Sequence, residues 1–305
     1  MSNKSTTPVI VISGTNASGK SSLGIELAKQ YNGEIISADS RQIFRNFDLC
    51  CGKVTVEEKA MVPHHMIDIC NIGDPFSVSD YQKQVYELIP QIIERGRIPF
   101  IVGGTGLYID AIVKGYNFAD ETIDSAYRKK LDEKSITELQ TMLSETAIKF
   151  LGDNHSDFNN KRRLIRIIEK EKNGSSLLAS NRPLFDVLQI GVTWPKELLH
   201  KRIEDRLTMR IQQGMLDEVR DYLKDGGKPE HLYSLGLEYK YIAWYLEGKY
   251  SSINEFSSEM SQAIKRFAKQ QIKWFKRNSA IHWVDMTQDY FVESCNLIDN
   301  FLNRI

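Results

Sequence analysis

The sequence predicts an α/β fold, a parallel sheet flanked by helices with a helical insertion domain. Two observations predict it. Short β-branched runs alternate with stretches of helical periodicity, the pattern of strands buried on both faces. One long charged segment, from about Asp120 to Pro183, keeps a helical period and lacks a convincing strand. The expected organisation is therefore a core of residues 1–119 and 184–305 with a helical C-terminal part, interrupted by an insertion at 120–183.

The first strand is the apolar stretch Val9-Ile10-Val11-Ile12. It runs into Gly14-Thr15-Asn16-Ala17-Ser18-Gly19-Lys20-Ser21, which fits G-x-x-x-x-G-K-[ST]. From Ser22 to Tyr31, Leu23, Leu27 and Ala28 fall at helical spacing. Strand, glycine loop and helix in this order present backbone N–H groups and a helix N-terminus to a phosphate. Lys20 then reaches an outer phosphate and Ser21 a magnesium ion. The core is thus expected to be P-loop NTPase-like. Glu34-Ile35-Ile36-Ser37 reads as the second strand, and a helix spans about Tyr81 to Glu94. Pro99-Phe100-Ile101-Val102 is the third strand, followed by Gly103-Gly104-Thr105-Gly106. Val187–Val192 and Ile281–Val284 supply two more, and 195–278 reads as mostly helical. Ligands of such sheets bind beyond the carboxyl ends of the strands. The phosphate loop, Asp39 and Thr105 all follow strand ends and should converge.

Composition narrows the class. The chain has 305 residues, 41% hydrophobic and 26% charged, ordinary for a soluble globular protein. No apolar run approaches the roughly 18 residues of a membrane span. Val9–Ile12 is too short for a signal peptide, so the expectation is a cytoplasmic protein, taken as a monomer. Forty basic and forty acidic residues cancel, so the overall field does not advertise nucleic acid. Cys50, Cys51, Cys70 and Cys295 show no C-x-x-C spacing and read as reduced thiols. His64 and His65 have no partner at metal-ligand spacing and read as structural or substrate-loop residues.

Local features carry more. Asp39, in Ser37-Ala38-Asp39-Ser40-Arg41-Gln42, lies across the site from the phosphate cradle. A carboxylate there suits a general base, an acceptor for a substrate amine, a magnesium ligand, or simply a helix N-cap. Thr105 suits either a second phosphate contact or turn chemistry. In Lys161-Arg162-Arg163-Leu164-Ile165-Arg166, Arg162 and Arg166 share a helix face, with Leu164 and Ile168 toward a core. Lys265, Lys269, Lys273 and Lys276 form a second basic stripe, with no acid from Ile264 to Asn278. Both faces suit a phosphate backbone, though a charged helix face is more often only solvated.

The order of these motifs resembles the tRNA dimethylallyltransferase (tRNA isopentenyltransferase) family over about residues 9 to 285. The matching pieces are Gly14–Ser21, Ala38–Phe44, Val62-Pro63-His64-His65-Met66-Ile67-Asp68, Phe76–Tyr81, Val102-Gly103-Gly104-Thr105-Gly106-Leu107-Tyr108, Lys161–Arg166 and Arg266–Phe275. The resemblance implies transfer of a dimethylallyl group from its diphosphate to the exocyclic amine of the adenosine just 3′ of the tRNA anticodon. The loop Gly14–Ser21 would then hold the isoprenoid diphosphate with magnesium, Asp39 would take the amine proton, and Thr105 and Arg128 would contact the reacting groups. Asp39, Ser40, Arg41 and Gln42, with Arg162, Arg163, Leu164, Ile165 and Arg166, match the segments that contact tRNA.

Three stretches depart from the family pattern. Gly14-Thr15-Asn16 replaces G-P-T, Cys50-Cys51-Gly52-Lys53-Val54 replaces G-T-A-K-P, and Leu235-Gly236-Leu237-Glu238-Tyr239-Lys240 replaces R-x-x-G-Y. No zinc-ligand spacing follows the core, so the eukaryotic extension is expected to be missing. A small-molecule P-loop kinase shares Gly14–Ser21 but explains neither basic face. An RNA-binding homologue without activity is disfavoured by Lys20, Asp39, Thr105 and Arg128. A prenyltransferase for free adenine nucleotides is disfavoured by the basic faces.

Overall fold

The computed structural model describes residues 7–118, 124–151, 158–174 and 183–304. They divide into two compact units, Met1–Lys114 with Pro183–Ile305, and Gly115–Arg182.

The larger unit is built on a six-stranded, all-parallel sheet of order β3-β2-β4-β1-β5-β6. Its strands are β1 (Pro8–Ser13), β2 (Gly33–Ser37), β3 (His64–His65), β4 (Ile98–Gly103), β5 (Asp186–Thr193) and β6 (Ile281–Asp285). β1 lies between β4 and β5, with Ile12 opposite Val102 and Ile190. A parallel sheet is covered on both faces, so its strands are continuous apolar runs rather than alternating ones. Ile10 and Ile12 pack with Leu23 and Leu27 on one face, and Val9 and Val11 with Tyr81 and Ile89 on the other.

The helices of this unit are α1 (Lys20–Gln30), α2 (Asp48–Cys51), α3 (Val56–Met61), α4 (Val78–Glu94) and α5 (Gly106–Val113) in the first half. A capping box of Ser77 and Asp80 starts α4, each side chain answering the other's backbone N–H.

In the smaller unit, α6 (Ser125–Asp132), α7 (Ile136–Thr141), α8 (Glu145–Leu151) and α9 (Lys161–Lys172) enclose a separate core around Leu131, Leu139, Leu164 and Ile168. No strand is present among its described residues. The larger unit then continues with α10 (Lys196–Gln212), α11 (Met215–Lys224), α12 (Pro229–Leu235), α13 (Leu237–Leu246), α14 (Ile253–Phe275) and α15 (Tyr290–Leu302). α10, α11, α13 and α14 share a third apolar core containing Leu207, Val219, Tyr239 and Ile264. Among the described residues no helix is long and apolar enough to cross a membrane.

All five strands expected from the sequence are present. The sixth, β3, is only two residues long and was not expected as a strand. His65 accounts for its anchorage, since its Nε2 lies 2.6 Å from the buried Glu34 carboxylate, which Arg95 also grips. His65 thus has a structural partner, and His64 contacts the Val62 carbonyl through Nδ1 at 2.8 Å.

Candidate active site

The loop after β1 is a concave cradle. Gly19 occupies the N-cap of α1 at φ 86°, a left-handed conformation that glycine adopts without strain. No side chain caps α1, so its first N–H groups remain available to an anion. Other elements hold the cradle from outside. Trp194 Nε1–H donates to the Ser18 carbonyl at 2.8 Å, and Arg202 Nε–H donates to that of Ala17 at 2.9 Å. The Asn16 N–H donates to Gln271 Oε1 at 3.0 Å, while Gln271 Nε2 donates to the Gly104 carbonyl at 2.9 Å. Gln271 therefore straps the phosphate loop to the glycine turn after β4.

Lys20 is 8% exposed and donates to the Thr15 carbonyl at 3.2 Å. Burial pulls its ammonium down to about 8, partly countered by Asp39 and reinforced by Arg206 and Arg210. Asp39 follows β2. Its Oδ1 accepts the Arg41 N–H at 2.9 Å, forming a turn rather than the N-cap of a helix. Thr105 joins that turn, its N–H donating to the Ala38 carbonyl and its Oγ1 accepting the Ser40 N–H, each at 3.0 Å. The ends of β1, β2 and β4 thus converge as the sequence implied.

Three connected hollows surround this meeting point. One, of about 400 Å³, lies over Asp39 and Thr105 and is walled by Leu107, Tyr239, Phe267 and Trp274. A second, of about 470 Å³, opens beside Lys20 and Ser21 with Arg202 and Arg206 on its wall. Between them a small recess holds Lys20, Asp39, Cys51, Arg206, Arg210 and Glu238. The apolar chamber, the cationic chamber and the carboxylate at their junction suit a substrate with an apolar group attached to an anionic one.

Several sequence-level assignments change. Leu164, at 0% exposure, faces the core of the smaller unit as its helix position implied, and Ile165, at 4%, joins it, so neither side chain of this matched segment forms an RNA-facing surface. A hydrophobic core needs the face of α9 that these residues occupy, leaving Arg162, Arg163 and Arg166 outside it. Arg128 is bound bidentately to Glu169, with Nε donating at 2.7 Å, and both residues belong to the smaller unit. Gln42 uses both ends of its amide internally, toward Ser37 Oγ and the Gly52 carbonyl. In the lysine stripe, Lys265 pairs with Glu204, whereas Lys269, Lys273 and Lys276 are exposed. The four cysteines are free thiols, and burial pushes Cys51 up to about 12.

Sequence reasoning missed Gln271, Arg206 and Arg210. Arg202, Arg206 and Arg210 recur every four residues along α10, a cationic row that could have been read as one helix face. Gln271 carries no such signal. It is an uncharged residue inside a basic helix, and its partners are remote in the chain.

Among the described residues no group of three His, Cys, Asp or Glu could hold a metal ion alone. The Ser21 hydroxyl lies on the cationic chamber beside Lys20. One hydroxyl completed by phosphate oxygens and water is a donor set that fits a hard divalent cation arriving with its anion.

A family model described as IPP transferase matches residues 42–278. A tRNA dimethylallyltransferase 2 of Treponema denticola is 39% identical over 285 residues, covering 90% of this chain and 95% of that protein. Another of that name, from Shewanella sediminis, is 37% identical over 296 residues, covering 95% and 97%. The crystal structure of the full-length tRNA isopentenylpyrophosphate transferase of Bacillus halodurans superposes with a TM-score of 0.74 at 33% identity, covering 97% of each chain.

Proposed function

The chain belongs to the IPP transferase family, and on that premise we propose that it transfers a dimethylallyl group from dimethylallyl diphosphate to tRNA. The acceptor is the exocyclic amine of the adenosine 3′-adjacent to the anticodon, and diphosphate is released. The observation that carries this reading is the shared recess, in which Lys20 of the phosphate cradle and Asp39 line one space. A leaving diphosphate and an attacking amine need such an arrangement.

In the reaction the bond between the allylic carbon and the diphosphate oxygen breaks, and its electron pair leaves with the diphosphate. The amine nitrogen forms the new bond to that carbon and gives up a proton. Lys20, the uncapped N–H groups at the start of α1 and Arg206 stabilise the charge collecting on the diphosphate. Asp39 accepts the amine's hydrogen bond and then its proton. Adenine's amine is a weak nucleophile, so orientation by the Asp39–Thr105 turn contributes more than basicity. Magnesium, held by Ser21 and the diphosphate, would supply further charge stabilisation.

An adenosine inside a stacked anticodon loop cannot reach a recess of this size, so the base must be flipped out. The aromatic residues Tyr239, Phe267 and Trp274, on the wall of the larger hollow over Asp39, suit a flat base beside the recess. Ser40 and Arg41 line the larger hollow and Gln42 the recess, where they would meet the tRNA. Arg162, Arg163 and Arg166, together with the exposed lysines of α14, suit the RNA backbone. For Arg128, which is paired with Glu169, a role toward the reacting groups rests on the resemblance alone. The reading includes a cytoplasmic, monomeric enzyme, where tRNA and the isoprenoid donor meet.

The test is incubation of the purified protein with dimethylallyl diphosphate, magnesium and unmodified tRNA carrying the target adenosine, followed by nucleoside mass spectrometry. Adenosine gaining one dimethylallyl unit supports the proposal. No prenylated product, together with ATP consumption on a small acceptor in a parallel reaction, assigns the loop to a kinase instead.

A further inference from the structure

The recess contains an ion pair that the transfer reaction does not require. Arg210, on α10, is 7% exposed, and Glu238, in the first turn of α13, is 8% exposed. Arg210 Nη1 lies 3.8 Å from Glu238 Oε1, within ion-pair range but longer than a hydrogen bond. The two groups attract across a gap without closing it. Both line the recess with Lys20, Ser21 and Asp39.

The guanidinium is aimed at the Gly52 turn. A Cβ built on Gly52 would stand 1.5 Å from Arg210 Nη2 and 2.3 Å from Arg206 Nη2. Arg206 already donates to the Gly52 carbonyl, at 3.3 Å. The buried Arg210, the half-buried Arg206 and the Lys20 ammonium therefore face one small space containing two carboxylates, Asp39 and Glu238. Buried cations without full partners are costly, and an anion entering the space would supply what they lack. Burial also raises the Glu238 carboxyl above its usual range, with Arg210 pulling it back. Glu238 is also where this chain departs from the family pattern, since the resembling segment carries glycine there.

We propose that Glu238 is a resident counter-ion that competes with diphosphate for Arg210 and so sets how tightly the product anion is held. With the site empty, Glu238 offsets the charge of Arg210. When diphosphate is present, Arg210 turns its donors to the phosphate oxygens, and Glu238 is left facing a like charge. That repulsion weakens product binding and favours release. The inference rests on the reading of the cradle as a diphosphate site.

The experiment is calorimetric titration of the intact protein with inorganic diphosphate in magnesium buffer, for wild type, E238Q, R210Q and the double variant. E238Q is expected to bind diphosphate about tenfold more tightly, equivalent to about 1.4 kcal/mol. R210Q is expected to bind about tenfold more weakly, and to abolish the gain from E238Q in the double variant. General structural damage does not tighten a ligand, so the sign of the E238Q effect separates the proposal from a merely structural role. R210Q reads the pair from the other side and does not depend on E238Q folding. Unchanged or weaker binding by folded E238Q overturns the proposal, as does a gain that persists without Arg210. If wild type binds no diphosphate and K20A matches it, the diphosphate reading of the cradle itself fails.

Discussion

Replacing Gln271 by alanine tests whether the two glycine turns act as one unit. The side chain accepts the Asn16 N–H at 3.0 Å and donates to the Gly104 carbonyl at 2.9 Å, and the residue is buried. Each bond contributes about 1 kcal/mol net, and an unpaired buried backbone group costs about 1 to 3 kcal/mol. The neighbouring hollow lets water reach part of the gap, so we take the lower end of that range, about 2 kcal/mol for the two bonds together. If the loss falls on the transition state, kcat/KM drops about 30-fold. The assay is steady-state prenyl transfer with the donor and tRNA varied separately, alongside thermal unfolding. The strap bonds directly to the phosphate loop and to the glycine turn before Thr105, and reaches Ser40 only through Thr105. The loss should therefore appear in the donor's kcat/KM, with tRNA affinity within a few-fold of wild type. A Q271A enzyme whose kcat/KM for the donor stays within threefold of wild type would refute the coupling.

Three further outcomes are expected. Asp39→Ala abolishes transfer while tRNA affinity changes only a few-fold, and Asp39→Asn, which retains an oxygen for the Arg41 N–H, lowers kcat at least about 100-fold; wild-type-like turnover in single-turnover assays would remove Asp39 from the mechanism. Burial holds Lys20 at about 8 instead of 10.5, so its charge in the donor-free enzyme is lost as pH rises through about 8, and donor kcat/KM should fall on that limb. Folding stability has the opposite sign, because between about 8 and 10.5 the unfolded chain binds the proton that the folded chain lacks, so this group's contribution rises with pH. A pH profile flat to well above 9 would contradict a cationic role for Lys20. Arg162→Ala with Arg166→Ala should weaken tRNA binding and reduce the slope of log affinity against log salt by about 1 to 2; an unchanged slope returns α9 to a solvated face.

What could be read in advance followed from chain locality. The phosphate cradle, Asp39 and Thr105 each come directly after an apolar strand run, so strand pattern and motif together located them at the carboxyl ends of the strands. β3 escaped because two residues have no periodicity, and its place depends on Glu34 contacting His65 from far along the chain. Leu164 and Ile165 were grouped with the arginines by adjacency. The 3.6-residue period separates them, and hydrophobic burial decides which face each takes. The walls of the recess were illegible for a different reason. Arg206, Arg210 and Glu238 of the recess, and Gln271 of the hollow beside it, come from α10, α13 and α14, and only the packing of these helices over the carboxyl ends of the strands brings them to the loop.

That packing explains how a chain of zero net charge can suit a polyanion. The forty bases and forty acids cancel in sum but are not evenly mixed. At the recess Lys20, Arg206 and Arg210 face Asp39 and Glu238, an excess of positive charge that is not visible in the total. Lys20 and Arg210 are buried and Arg206 half-buried, so salt screens them less than the exposed lysines of α14. They also cost more to keep charged, and the lowered pKa of Lys20 is the sign of that cost. An anion that neutralises the recess removes the cost, so part of the affinity for a diphosphate is relief of strain already present in the empty protein. The exposed bases of α9 and α14 carry no comparable burden. Under the proposed function the two substrates would then differ physically as well as chemically, the RNA held through screened surface charge and the diphosphate through buried charge that the fold itself can only partly neutralise.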